Sequence, residues 1–445
     1  MEKKQMRKVW IASLVGSAIE WFDYFLYGTV AALVFTKVFF VAEDPTIGLL
    51  LSYASLALAF FIRPFGGIIF SHIGDRVGRK KTLVMTLSLM GVATVLMGLL
   101  PTYQAIGIAA PIILVTLRLV QGLGIGGEWG GAMLLAVEYA PKEKRGLFGS
   151  IPQMGVPIGM FLGSGALTLI TTTVSTEAFI SWGWRIPFLF SALLVLFGLW
   201  IRKGIDETPS FKEVQKSGDI PKIPLVETLK THWREVLIAI GGKVVETAPF
   251  YIFGTFIVSY GTTNLGFSNT EVLVSVMIAT IVTTILIPIM GSLSDKIGRK
   301  KMYIYGAVAM LVYAFPYFWL LEQRTLTTLI IATIIGLGVI WAPITAVLGT
   351  MFSEIFSAKV RYTGVSLGYQ IGAAIAGGTA PLVATALLLE FNNSYIPIAL
   401  YIMLTAVISL VSVLAVRDRR HQELDDFSQD TEEKEERKKP LQTQH

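Results

Sequence analysis

Runs of about 20 apolar residues recur along almost the whole chain, and a polypeptide with that pattern has few structures open to it. A helix needs about 20 such residues to cross a ~30 Å hydrocarbon core, where each backbone N–H and C=O must be satisfied within the protein. About twelve spans can be read, at roughly 11–36, 48–73, 82–100, 107–131, 146–172, 184–203, 235–260, 271–293, 302–321, 326–350, 363–389 and 394–416. Composition agrees. Hydrophobic residues make up 53% of the chain and charged residues 15%, against about 25% charged in soluble domains. The 42 glycines and 18 prolines are no objection, because close helix packing uses glycine and neighbours satisfy a carbonyl freed by proline.

The net charge of +6 is spread over alternate loops and makes no patch for nucleic acid. Lys3, Lys4, Arg7 and Lys8 precede the first span; Arg76, Arg79, Lys80 and Lys81 follow the second; Lys142, Lys144 and Arg145 follow the fourth. Further basic residues fall in 202–234, at 296–301, at Lys359 and Arg361 and from Arg417 onward, while the other loops hold little beyond Lys37 and Arg324. By the positive-inside rule both termini are expected on the cytoplasmic side. The first apolar stretch is long and carries Glu20 and Asp23, unlike the short core of a cleavable signal peptide, so it stays as the first span.

The longest hydrophilic connection divides the spans six and six. The expected organisation is an N-terminal six-helix bundle over 1–203, a central cytoplasmic loop over 204–234, a C-terminal bundle over 235–416 and a polar cytoplasmic tail over 417–445. Two repeated motifs say that the halves are related. Asp75-Arg76-Val77-Gly78-Arg79-Lys80 follows span two and Asp295-Lys296-Ile297-Gly298-Arg299-Lys300 follows span eight, an offset of 295 − 75 = 220. Glu138 and Arg145 after span four return as Glu354 and Arg361 after span ten, both at 216. The fold class is therefore an all-α membrane protein, with twelve transmembrane helices in two pseudo-symmetric six-helix bundles. Such parallel repeats are a known transporter plan, with the substrate site between them near the midplane.

Charge inside the spans marks where the chemistry lies. A charged side chain at mid-bilayer costs about 2.5–3.5 kcal/mol on insertion scales, so it faces a cavity or a partner. Glu20 and Asp23 sit at i, i+3 on one face of span one, a carboxylate pair suited to reversible protonation or to the substrate cavity, with a structural pair neutralised from another helix as the alternative. In span four Arg118, Gln121, Ile125 and Glu128 fall along one face, and an arginine there can hold a carboxylate or bias a neighbouring acid. Span seven repeats the design with Lys243 and Glu246, offset from Asp23 by 246 − 23 = 223. Lys243 is the best candidate to attract an anion, with Glu246 orienting it or sharing the proton; an internal ion pair between the two is the plainer alternative. Tyr24, Tyr27, Gln153, Tyr251, Trp341, Tyr369 and Gln370 are candidates to line the same cavity, or else to fill helix interfaces.

No cysteine is present, the four histidines lack metal-ligand spacing, and there is no phosphate-binding Gly-x4-Gly-Lys-Ser/Thr string. An enzyme or an ATP-driven pump is not expected, and no cofactor beyond a coupling proton.

The Asp-basic-x-Gly-Arg-basic loops resemble the hallmark of the major facilitator superfamily; the second copy fits from Gly291, and the first has Ser71 in place of the leading glycine. Gly16-Ser-Ala-Ile-Glu20-Trp-Phe-Asp23-Tyr-Phe-Leu-Tyr27-Gly28, Arg118-Leu-Val-Gln121-Gly122-Leu-Gly124-Ile-Gly126-Gly127-Glu128-Trp129 and Trp182-Gly-Trp184-Arg185-Ile-Pro187-Phe188 together are similar to its metabolite:proton symporter family. That resemblance implies proton-coupled uptake of a small polar metabolite by alternating access, by a monomer in a lipid bilayer. Family members carry α-ketoglutarate, citrate, shikimate, proline or betaine. Here an organic acid of the shikimate or dicarboxylate kind is expected, with a proline/betaine-type osmolyte carrier next and a non-transporting metabolite sensor as the reading from another class. The resemblance also implies a gating latch at Asp75, Arg76, Gly78, Arg79, Glu138, Arg145, Asp295, Gly298, Arg299, Glu354 and Arg361.

Overall fold

The computed structural model describes residues 3–77, 79–127, 129–138, 140–203, 224–356 and 360–416, without the side chains at 74–77, 79–80 and 138 among a few others. Among them, eleven helices are long and apolar enough to cross a membrane, and a bent pair makes a twelfth span. In chain order these are α1 (Trp10–Val38), α2 (Pro45–Phe70), α3 (Lys81–Leu99), α4 (Ala109–Gly126), α5 (Lys142–Thr173), α6 (Thr176–Gly183 with Arg185–Ile201), α7 (Trp233–Asn264), α8 (Asn269–Ile297), α9 (Arg299–Leu321), α10 (Leu326–Ile355), α11 (Arg361–Glu390) and α12 (Ile396–Leu414). Every expected span has its helix. The largest departure is at α6, which begins near 176 rather than 184 and bends by 47° at Trp184. The bend has a local cause. Arg185 Nη1 donates to the carbonyls of Gly98 (2.8 Å) and Leu100 (2.7 Å), capping the end of α3, while Trp184 is buried edge-on against Phe35, Phe39 and Phe188.

The repeat is visible in the backbone as well as in the loops. α1 widens into a π-helical turn over Ala31–Phe35 and α7 does so over Ile252–Phe256, an offset of 252 − 31 = 221. Gly298 takes φ 105° at the α8–α9 turn, where its N–H closes on Ser294 O at 2.9 Å. Only glycine adopts that conformation without strain, which explains its place in the loop motif. Its counterpart Gly78 lies outside the described residues.

The halves α1–α6 and α7–α12 touch at both ends. At the end bearing the basic loops, the start of α5 packs on the end of α8 with bare backbone on each side. A Cβ on Gly146 would meet the Gly291 carbonyl at 2.5 Å, and one on Gly291 would meet the Gly146 carbonyl at 2.6 Å. That approach lets Asp295 accept from Gly146 N (2.7 Å) and Leu147 N (3.0 Å), two N-terminal donors that the helix itself cannot satisfy. Arg299, at the start of α9, holds Asp295 across the α8–α9 turn at 2.9 Å and reaches Glu354 at 3.4 Å. The Thr350 hydroxyl donates to the Arg145 carbonyl across the seam at 3.3 Å, and Arg361 Nε donates to Ser353 O and Phe356 O (3.0 and 3.2 Å), closing the end of α10. The matching side chains of Asp75, Arg76, Arg79 and Glu138 are outside the description. At the opposite end, Tyr53 Oη and Ser259 Oγ share a hydrogen bond at 2.9 Å, and Gly28 packs on Thr255.

Gly291→Val is expected to force α5 and α8 apart, at the ~1–3 kcal/mol typical of overpacking. The chain has no native cysteine, so a Thr350→Cys probe reports the change directly. Maleimide labelling of that buried position should speed up in the Gly291→Val background, and an unchanged rate would show that the contact does not hold the end closed.

Candidate functional site

The buried charge of the spans collects in two connected groups. The first lies within the N-terminal half. Asp23 on α1 accepts from Thr94 on α3 (3.0 Å) and from Ser191 on α6. Thr94 in turn accepts from Gln121 Nε2 on α4 (2.8 Å), and Gln121 Oε1 accepts from Arg118 one turn earlier. The Arg118 guanidinium lies 4.0 Å from the ring centres of both Tyr24 and Tyr27, and Tyr27 Oη pairs with Ser55 at 2.6 Å. Four helices thus position one acid and one arginine with two side chains between them. Arg118 does not reach Asp23 directly; the α4 face expected from the sequence addresses it through Gln121 and Thr94. Glu20 is buried on the same helix, and Glu128 lies outside the described residues.

The second group lies where the halves meet. Lys243 and Glu246 on α7 form the ion pair offered as the plainer sequence alternative, and the Lys243 ammonium sits 3.6 Å from the centre of the Tyr369 ring. Glu246 also accepts from Thr247 (3.0 Å) and Thr345 (3.1 Å), and its backbone carbonyl accepts from Trp341 Nε1 (2.5 Å). Gln153 of the N-terminal half donates to Thr345 O (3.1 Å) and accepts from Trp129 Nε1 (3.3 Å). Trp129 stacks on Tyr369 at 3.4 Å, closing a ring of contacts across the seam. Gln370 Nε2 donates to Gly126 O at 3.4 Å, also across it.

Between the two groups is an aromatic wall. Tyr24, Phe25 and Phe60 of one half meet Phe250 and Tyr251 of the other, with ring centres 5.1–6.3 Å apart, and Trp341 stacks behind Phe250 at 4.4 Å. All seven candidates for the cavity lining, from Tyr24 to Gln370, are buried here or beside Arg118.

One ionisable residue of this centre escapes the sequence reading. Arg63 on α2 is 1% exposed, with its guanidinium 4.2 Å from the Tyr24 ring centre and 4.1 Å from that of Phe60. The available signal was an arginine inside an apolar run, just before Pro64. Thr94, Ser191 and Thr345 carry no such signal, since hydroxyls are common on spanning helices.

Comparison with known proteins agrees with the architecture. The sequence profile described as Major Facilitator Superfamily matches residues 13–365 and, in a second match, 244–443. The shikimate transporter of Escherichia coli (strain K12) is 38% identical over 414 residues, covering 93% of this chain and 94% of the relative. The proline/betaine transporter of Salmonella typhimurium (strain LT2) is 35% identical over 429 residues, covering 94% and 85%. The solved structure of the proton:xylose symporter XylE bound to 6-bromo-6-deoxy-D-glucose superposes with a TM-score of 0.73 at 19% identity over 96% of this chain and 98% of that one, a likeness of fold. The chain belongs to the major facilitator superfamily, among relatives that include shikimate and proline/betaine transporters, and is a multi-pass membrane transporter rather than an enzyme.

Thr94→Val should strand the Gln121 amide and remove a donor from Asp23, at about 1–3 kcal/mol for buried unsatisfied groups. A lowered Tm in detergent checks this, against Thr116→Val as control, because the exposed Thr116 hydroxyl bonds only to Ile112 O of its own helix. Equal melting of the two variants would remove Thr94 from the network.

Proposed function

We propose that the protein imports a small organic acid with a proton, by alternating access across the cytoplasmic membrane, with the charged loops and both termini in the cytoplasm. Charge balance at the centre carries the reading. Among the described residues, the middle of the bundle buries three acids, Glu20, Asp23 and Glu246, and three bases, Arg63, Arg118 and Lys243. With all six ionised the net charge is zero. A proton on any acid leaves one positive charge in a dry site, and a carboxylate neutralises it. Proton and anion therefore favour each other's binding, which is the differential affinity that symport needs.

The wiring supports Asp23 and Glu246 as carriers of the proton. The Thr94 hydroxyl lies 3.0 Å from Asp23 Oδ2 and equally 3.0 Å from Met90 O, so it can turn its single hydrogen to either as Asp23 changes charge. Protonating Glu246 weakens its hold on Lys243 and Thr345, and through Gln153 and Trp129 on the opposite half. The central side chains are buried and the halves meet at both ends, so one gate or the other has to open. Release of the Asp295–Arg299–Glu354 cluster opens the cytoplasmic gate; the Tyr53–Ser259 bond guards the outer one. A second reading is a zwitterionic osmolyte. The wall of Tyr24, Phe60 and Tyr251 suits an ammonium group, and one of the relatives is a proline/betaine transporter.

Proteoliposomes tested with a panel of organic acids and betaines should accumulate an acid when the lumen is alkaline and lose that accumulation in the Asp23→Asn, Glu246→Gln double variant. Uptake indifferent to the pH gradient would end the symport reading. Retained accumulation in the double variant would end the residue assignment, and accumulation of betaines alone would select the zwitterion.

A further inference from the structure

We propose that Arg63 is the carboxylate receptor of the central site, completed by the hydroxyls of Tyr24 and Tyr251, and that the substrate is a small monocarboxylate docked there; this rests on the organic-acid reading above.

Position comes first. Arg63 lies three residues after Phe60, on the same face of α2. Phe60 packs against Gly377 and Gly378 of α11 and faces Tyr251 of α7, so this face is turned to the other half. A side chain there touches whatever enters between the bundles. Asp23, by contrast, makes its bonds inward to α3 and α6, on the far side of Tyr24 and Tyr27 from the seam.

Occupation of the other bases comes second. Lys243 is held by Glu246 and Tyr369, and Arg118 by Gln121, Tyr24 and Tyr27. Arg63 is flanked by the rings of Trp21, Tyr24 and Phe60, and its Nε has no hydrogen-bond partner among the described residues. No carboxylate among the described residues lies within ion-pair reach of it.

Third is the chemistry of the unpartnered atoms. Among the described residues, Arg63 Nε, Arg118 Nε and Nη2, Tyr24 Oη and Tyr251 Oη are buried with no hydrogen-bond partner. Every one of them can donate, and the arginine nitrogens can only donate. Such a set is matched by an acceptor with several lone pairs, and a planar guanidinium beside two phenols fits a carboxylate in bidentate fashion. Tyr24 lies between the two arginines, so an anion on Arg63 is felt at Arg118 and, through Gln121 and Thr94, at Asp23. The same residue that binds the substrate thereby reports its charge to the proton site.

The test uses purified full-length protein in detergent, wild type and the Arg63→Lys and Arg63→Gln variants, and a panel of small carboxylates each paired with its methyl ester. Thermal shift finds a binder for wild type, and calorimetry then gives its Kd. Expected is an acid that binds wild type while its ester does not, with Kd raised about tenfold in Arg63→Lys and about a hundredfold in Arg63→Gln, as for loss of charge-assisted hydrogen bonds. In Arg63→Gln the acid and its ester should bind alike, a loss of discrimination that a merely structural arginine would not cause. Arg63→Lys keeps the charge and length and serves where Arg63→Gln does not fold. An acid whose Kd stays within about twofold in both variants overturns the assignment of Arg63 alone. Wild type that binds none of the acids overturns the organic-acid reading itself.

Discussion

Ionised groups cannot be left bare in hydrocarbon, and the interior of this protein is arranged around that cost. Each mid-bilayer charge carries a penalty of about 2.5–3.5 kcal/mol that a partner has to offset. Asp23 draws hydroxyls from α3 and α6, Lys243 draws Glu246 and the Tyr369 face, and the two arginines draw aromatic rings. These partners come from at least six helices. The charges therefore fix which helix faces turn inward, and the apolar residues are left to face lipid, as the many exposed leucines, isoleucines and phenylalanines on the outer faces show.

Meeting that requirement in two halves rather than one gives the structure its freedom. Within a half the polar network is continuous, as from Arg118 through Gln121 and Thr94 to Asp23 and Ser191. Between halves the contacts are fewer and discrete. They include bare-backbone packing at Gly146 and Gly291, one carboxylate on two N-terminal donors, the Tyr53–Ser259, Thr350–Arg145, Gln153–Thr345 and Gln370–Gly126 bonds, and the ring contacts of the central wall. Discrete contacts of this kind break without disturbing either core. Such contacts are what the proposed alternating access requires.

The loop motifs were legible because their constraints are local. Gly298 answers a positive φ in its own turn, and Asp295 sits at a helix end where N-terminal donors are close at hand. The in-span charges were legible because they are costly and therefore rare. Arg63 satisfies the same criterion inside the span read over 48–73, but no polar residue stands three or four positions from it, so nothing in the sequence marked the face it shares. The bend in α6 was invisible for a different reason: it depends on Arg185 finding the end of α3, a partner about 85 residues away in sequence.

The sequence by itself determined the apolar spans, the duplication, and the identities of the buried central acids and bases other than Arg63, because hydropathy, charge and repeat offset are properties of the chain read in order. Only the tertiary structure decided who faces whom. It set Asp23 inward to Thr94 and Ser191, closed Lys243 on Glu246, and turned Arg63 to the seam beside Tyr24 and Tyr251. An i, i+3 spacing states that two residues share a face. Which neighbour that face meets depends on how helices from distant parts of the chain pack, and no local rule carries that information.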